Sequence, residues 1–473
     1  MEEIAQNTSS PAPEPSGHQA ACEDPLVLEA RPVAAGEEGG TDALSAPSVA
    51  LEAPVEPGKT ILVVHASVGS GHRSAANAIA EALGALREEP GFFERYPHIP
   101  RDFKVEVLDI LEFGRVVFDG DKTASLFIGA TRPFYDLTWR YVLTGRLLWG
   151  GGTIWGRVNF PKFTQYVARV KPLAVVATHI TAANTVVSAR MLTGQKFPLV
   201  SVPTDYETEG LWPHLYSDVF CVANEAMAET LRARKVEERR IAITGLPTRP
   251  TFGAAHDREK TREEFGLPQD RRVVLALAGA RLPKPYQHFR ASMDELIPHL
   301  HSLEGFHFVI ITGDSPDYTR HVEDLAEEYS IDNLTVLGYV DKMPELMAAC
   351  DLVICKSGGL ITTECLNAHV PMILLGRAYG QEKANLRMLT GVGAAFSATT
   401  ARELFDTLRS IQDNPGSIQA ALINASLLRH PDAAKDIARR TLQLADPAVE
   451  LPTRTGVRHF LHFYWGHKPA HVR

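Results

Sequence analysis

Short apolar runs recur along this chain, each closed by glycine, proline or a small polar cluster. They are Ile61–Val64, Val105–Ile110, Ala174–Ala177, Leu199–Val202, Val219–Val222 and Ile241–Ile243, then Val273–Leu277, Phe308–Ile311, Leu334–Leu337, Leu352–Cys355 and Met372–Leu375. Runs of three to six residues, mostly apolar, read as strands covered on both faces; Val105–Ile110, with Glu106 and Asp109, is a short alternating strand. Between them lie stretches with helical spacing. The spacing predicts helices over about Ser74–Leu86, Ala182–Leu192, Glu225–Lys235, His288–His301, Tyr318–Tyr329, Met343–Ala349, Ala401–Ile411 and Ile418–Leu428. Strand and helix in alternation give an α/β class with parallel, doubly wound sheets and a ligand crevice at the strand C-terminal ends.

The pattern breaks at both ends and once in the middle. Residues 1–57 are rich in Ala, Pro, Glu and Gly without periodicity, which predicts disorder. Gly245-Leu-Pro-Thr-Arg-Pro250 sets two prolines around an arginine, a stiff connector that divides a domain over 58–250 from a second over 251–445. A last segment, 446–473, is aromatic and basic and is expected to pack over the cleft or touch a membrane. Thr131–Pro172 carries Arg132, Arg140, Arg146, Arg157, Lys162, Arg169 and Lys171 against one acid, Asp136, with Trp139, Trp149 and Trp155 interleaved. Cations with tryptophans suit an anionic membrane surface; a pair of core helices with a solvated basic face is the plainer alternative.

Composition narrows the function classes. The balance of 48 Lys and Arg against 57 Asp and Glu leaves a net charge of −9, which argues against nucleic acid as a partner. No apolar run reaches the length of a membrane span, and the N-terminus lacks the apolar core of a secretory signal. Cys22, Cys221, Cys350, Cys355 and Cys365 form no paired spacing and read as reduced thiols of a cytoplasmic protein.

Two strand–glycine–helix units carry the candidate chemistry. In Asp351–Asn385 a strand leads into Ser357-Gly358-Gly359 and a helix bearing Thr362, Thr363 and Glu364, followed by Gly380-Gln381-Glu382 and Asn385. Free backbone N–H groups at such a helix start attract an anion. A carboxylate one turn further in suits the hydroxyls of a ribose. The other unit is His65-Ala-Ser-Val-Gly-Ser-Gly71-His72-Arg73, with a histidine at a helix start, where the dipole favours the neutral imidazole a general base needs. His72, His179 and Asp205 all follow strands and can converge.

Taken together, these motifs resemble the GT-B glycosyltransferases of the monogalactosyldiacylglycerol synthase and processive diacylglycerol glucosyltransferase type, distant relatives of the enzyme that forms lipid II. The resemblance runs over about 60–430: the GSGHR loop, the Thr204–His214 run, Gly245–Pro250, Gly338–Gly359, Thr363-Glu364 and Val370–Asn385. It implies two Rossmann-like domains facing a cleft and an inverting transfer of a hexose from a UDP-sugar to a lipid such as diacylglycerol. The enzyme would be peripheral on the inner face of the cell membrane. It implies that Tyr339 and Val340 flank the uracil and that Ser357, Gly358, Gly359 and Thr363 face the diphosphate, with Gly279 on the neighbouring loop. Glu364 would hold the ribose, Gln381, Glu382 and Asn385 the sugar, and Arg249 would lie near the nucleotide. His72 would be the base, with Asp205 its alternative or its orienting partner. Gly71, His179, Trp139, Arg140, Trp149 and Trp155 would serve the acceptor and membrane. The donor domain over 251–445 carries no DxD motif, so no metal or other cofactor is expected beyond the UDP-sugar itself. The chain departs from the family where Ala278–Pro283 holds the single glycine Gly279; Arg281 replaces backbone donors there, or the loop is reshaped. A UDP-sugar epimerase or hydrolase on the same fold, and a non-catalytic nucleotide-sugar or membrane-binding protein, stand as alternatives.

Overall fold

A computed structural model of the chain describes residues 56–115, 154–208, 212–279, 288–378 and 382–451. The expectations for residues 1–55, Trp139, Arg140, Trp149, Arg281, Gln381 and the tail from 452 fall outside these ranges.

The first sheet holds β1 (Thr60–His65), β2 (Lys104–Asp109), β3 (Ala174–Ala177), β4 (Leu199–Ser201), β5 (Val219–Val222) and β6 (Ile241–Ile243). Their spatial order is β2-β1-β3-β4-β5-β6, and every pair is parallel. Every residue of β1 is buried, as its unbroken apolar run requires. Helix α1 (Ser70–Arg87) covers one face with small side chains, Ala75, Ala76, Ala78 and Ala82 among them. Small residues let the helix lie close on the strands. Helices α2 (Pro161–Val170) and α3 (Ile180–Thr193) cover the other face, and α4 (Glu225–Ala233) leads into β6. Asn224 starts α4 by accepting the Met227 amide, an ordinary N-cap.

The second sheet holds β7 (Arg272–Leu277), β8 (Phe306–Ile311), β9 (Leu334–Leu337), β10 (Leu352–Cys355), β11 (Met372–Leu375) and β12 (Ala395–Ala398), again parallel, in the order β12-β11-β10-β7-β8-β9. Helices α5 (Arg258–Glu264), α6 (His288–Leu296), α7 (Pro316–Glu328), α8 (Met343–Ala349), α9 (Gly359–Asn367), α10 (Glu382–Gly391), α11 (Ala401–Asp413) and α12 (Gly416–Ser426) surround it. Among the described residues no helix is long and apolar enough to cross a membrane.

Each sheet reverses its winding once. In the first the chain passes from β1 outward to β2, then returns to β3 on the other side of β1; in the second the reversal lies between β7 and β10. The loops after adjacent strands part at such points and leave a crevice. Three candidate loops leave these strands: 66–69 follows β1, Thr178-His179 follows β3, and Ser357–Gly358 follows β10.

Two features depart from the sequence expectation. Edge strand β12 is Ala-Phe-Ser-Ala, too short of branched apolar residues to stand out. A further helix, α13 (Ala433–Leu444), returns to the first sheet, so the boundary at 445 does not hold for it. Ala434, Ile437, Ala438 and Leu442 pack with Ile61, Val63, Ala76 and Ile79. Lys435 pairs with Glu89 at 2.5 Å, and the His98 ring hydrogen-bonds the Leu442 carbonyl at 2.9 Å. The chain therefore crosses between the sheets twice, near 244–254 and again near 428–432. The crossings touch where only glycine fits. A Cβ on Gly245, whose φ is +83°, would lie 2.2 Å from His430 Cβ, and one on Gly253 would lie 2.6 Å from Pro431 Cβ.

Candidate active site

The two winding reversals meet. A Cβ on Gly71, in the first turn of α1, would lie 3.7 Å from Leu360 Cβ in the first turn of α9. A Cβ on Gly359 would lie 2.0 Å from the Thr204 carbonyl oxygen, so no other residue fits at 359 without parting the domains. Two helix N-termini, each without a side-chain cap, thus open on one place.

His72 is held from its Nδ1 side. Nδ1 lies 3.1 Å from the Thr178 carbonyl and 2.9 Å from Thr204 Oγ1. A carbonyl only accepts, so Nδ1 carries the proton and the lone pair is on Nε2. The Thr178 hydroxyl donates back to the His72 carbonyl at 2.9 Å and fixes the turn. Burial lowers the His72 pKa; the Asp205 charge and the Thr178 hydrogen bond oppose this, and Lys356 adds to it. The ring is therefore neutral at neutral pH, chiefly through desolvation. His179 stands edge-on to it, centroids 4.6 Å apart, and its Nδ1 accepts the Thr181 amide as the N-cap of α3. Burial, then His72 and His65, push His179 well below the ordinary histidine range.

Asp205 does not orient His72, as the sequence reading allowed. Its Oδ1 accepts instead from Asn385 Nδ2 at 2.8 Å, and its influence on the ring is through charge. Asn385 differs from expectation too. It is fully buried, and its amide is spent within the protein: Nδ2 also donates to the Ser357 carbonyl at 2.9 Å, and Oδ1 accepts the Tyr206 amide at 2.8 Å. Both amide hydrogens are spent within the protein, and the side chain is closed to solvent. Asn385 is a clasp between the domains. Thr363 is similarly engaged, donating to the Gly359 carbonyl at 2.7 Å and meeting the Tyr206 hydroxyl at 2.8 Å. Glu382 is buried and pairs with Lys356 at 3.2 Å.

Other expected donor residues stand around this centre. Glu364 is partly buried, and burial raises its carboxyl to about 8, with Arg249 opposing. Arg249 is exposed and pairs with Glu81 of α1 at 3.3 Å. Tyr339 is 69% exposed, a flat ring open to solvent, and Val340 rests on the core. Gly279 has a packing reason: a Cβ there would lie 2.5 Å from the Gly313 amide. Trp155 is exposed beside exposed Ile154 and Val158, with Arg157, Lys162, Arg169 and Lys171 also at the surface.

Lys356 enters from outside the sequence expectations. It follows β10 and directly precedes the glycine turn, and its Nζ would lie 3.7 Å from a Cβ on Gly358. A cation adjoining a glycine turn at a strand end was the available signal. Thr178 and Thr204, which set the His72 tautomer, gave no such signal, since only the fold brings them to the ring.

Two facing Rossmann-like domains, each with its crevice at the winding reversal, are the GT-B fold. The same fold is seen in the Staphylococcus aureus MnaA–UDP co-structure, with a TM-score of 0.52 and 12% identity over 84% of this chain and all of that one. A structure described as a putative UDP-N-acetylglucosamine 2-epimerase from Listeria monocytogenes also has it, at 0.52 and 15% identity over 85% of this chain and 100% of that one. Within this class the sequence matches two families in order: monogalactosyldiacylglycerol (MGDG) synthase over residues 155–248, and the glycosyltransferase family 28 C-terminal domain over 289–437. The chain thus resembles glycolipid-forming GT-B glycosyltransferases in both domains. A processive diacylglycerol beta-glucosyltransferase of Bacillus licheniformis is 27% identical over 54% of this chain, a match spanning 65% of that relative. The protein of the same description from Staphylococcus carnosus is 22% identical over 86% of this chain and 94% of its own length.

Proposed function

We propose that the chain transfers a hexose from a UDP-sugar to a lipid hydroxyl, such as that of diacylglycerol, at a membrane surface. The observation that carries the reading is the His72 ring, neutral and with its lone pair on Nε2, beside the α9 N-terminus across the domain interface. The acceptor hydroxyl gives its proton to Nε2 as its oxygen attacks the anomeric carbon. The bond from that carbon to the diphosphate oxygen breaks, and UDP leaves with the electron pair. One in-line displacement inverts the anomeric centre. The α9 N-terminus and Lys356 face the charge that builds on the leaving diphosphate, with Arg249 nearby, so the step needs no metal. Glu364 takes the ribose hydroxyls. The relatives' names point to diacylglycerol and glucose. The exposed Ile154, Trp155 and Val158 with their basic neighbours support docking on an anionic, cytoplasm-facing lipid surface.

The test is incubation with UDP-glucose, UDP-galactose and UDP-N-acetylglucosamine, with diacylglycerol vesicles and a chelator, and mass spectrometry of the products. A hexosyl-lipid of inverted linkage is expected. Free sugar or an isomer formed without acceptor would establish an epimerase or hydrolase instead, and no turnover with retained UDP binding would establish a binding protein.

A further inference from the structure

Strand β7 borders the winding reversal of the second sheet, yet the sequence that follows it, 278–287, holds only one glycine, and that glycine is committed to packing on Gly313. A charged group stands beside it. Phe289 is buried and seats the first turn of α6 on the sheet, and the next residue, Arg290, is partly buried. Its Nε donates to the Ala278 carbonyl at 3.0 Å, and its guanidinium carbon lies 4.1 Å over the centre of the Tyr318 ring. Tyr318 is itself fixed, its hydroxyl donating to Asp294 Oδ1 at 3.0 Å, while Asp294 Oδ2 lies 3.4 Å from His321.

Among the described residues no carboxylate pairs with Arg290, and its two terminal nitrogens have no hydrogen-bond partner. Asp294, four residues on along the same helix, is engaged by Tyr318 and His321. A guanidinium held by a carbonyl and a ring is oriented without being neutralised. Its forked outer edge keeps the geometry that matches phosphate oxygens two at a time. A structural arginine elsewhere in the same domain is used differently: Arg262 is buried and spends its charge on Asp351 at 2.7 Å.

We propose that Arg290 is a ligand of the diphosphate of a nucleoside diphosphate, doing with one fixed cation what a glycine-rich loop does with backbone amides. This rests on the nucleotide-sugar reading of the site and names a residue for it. Arg290→Ala and Arg290→Lys are compared with the parent chain in calorimetric titrations with UDP and with uridine, which keeps the base and ribose but lacks the charge. Losing a charge-assisted contact weakens UDP binding by about ten- to a hundredfold in the alanine variant. Lysine restores part of it, because it brings the charge without the fork. Uridine binding changes less than about threefold. Equal losses for UDP and uridine would mark Arg290 as a packing residue over Tyr318, and unchanged UDP binding would overturn its role outright. A parent chain that binds no UDP would sink the nucleotide reading and this assignment together. Melting temperatures of the three proteins separate lost packing from a lost contact.

Discussion

Replacing Glu364 by glutamine sets stability against binding, and the structure gives the sign of each. The carboxyl ordinarily titrates at 4.5 and is raised to about 8 in the folded chain, chiefly by burial. Between those values the folded chain holds a proton that the unfolded chain has released. Stability therefore falls as pH rises through that window, and below it the group costs nothing. At about 1.36 kcal/mol per pH unit the gap sets a ceiling near 5 kcal/mol, and a side chain that still reaches solvent realises about half of that. Glutamine has the same shape and no charge. Glu364→Gln should match the parent at about pH 5 and be about 2–3 kcal/mol more stable at about pH 9. Urea denaturation at both pH values reads this directly. Binding measured at about pH 9, where the carboxyl is ionised, should move the other way: the ribose hydroxyls lose an anionic acceptor, and UDP affinity falls by about 1.5–3 kcal/mol. A stability difference independent of pH, or a parent chain that is the more stable at high pH, would refute the account of Glu364 as a carboxylate kept in the cleft at a cost to the fold.

Other outcomes follow from the same geometry. His72→Ala should lower kcat by about 10²–10⁴ and leave UDP affinity nearly intact, and equal loss of both would make it a donor contact. Asn385→Ala strands the Tyr206 amide and the Ser357 carbonyl at the domain interface. It should cost about 2–4 kcal/mol in denaturation, whereas Tyr206→Phe, which removes one hydroxyl contact, should cost about 0.5–1.5 kcal/mol. The paired variant Ile154→Glu and Val158→Glu should reduce sedimentation with anionic vesicles and leave the melting temperature unchanged, since both side chains are exposed; binding by the parent that ignores salt would count against the surface.

Most of the architecture was legible because buried parallel strands announce themselves as unbroken apolar runs. Ala174–Ala177 and Leu352–Cys355 needed no other cue. Edge strand β12 lacked the cue, and α13 was invisible for a different reason: its apolar stripe does not say which sheet it will meet. At the site, placements set by local sequence were readable. His72 and Glu364 sit where a helix start and its first turns suggest. Asn385 belonged to the same motif and was assigned to the sugar, but its partners Asp205 and Tyr206 lie about 180 residues away, and no local pattern encodes a contact of that range.

The return of α13 orders the making of the protein. Strand β1 and helix α1 leave the ribosome early, yet the groups that cover them, Ala434, Ile437, Ala438 and Leu442, come after all of the second sheet. The first domain therefore cannot finish in sequence as an independent unit. Its apolar face waits while more than three hundred residues are synthesised, and closing it sets the second crossing between the sheets in the same step. A chain released at residue 430 would carry the second sheet and its helices attached to an unfinished first domain, whose incomplete face stays open to a chaperone because α13 is missing.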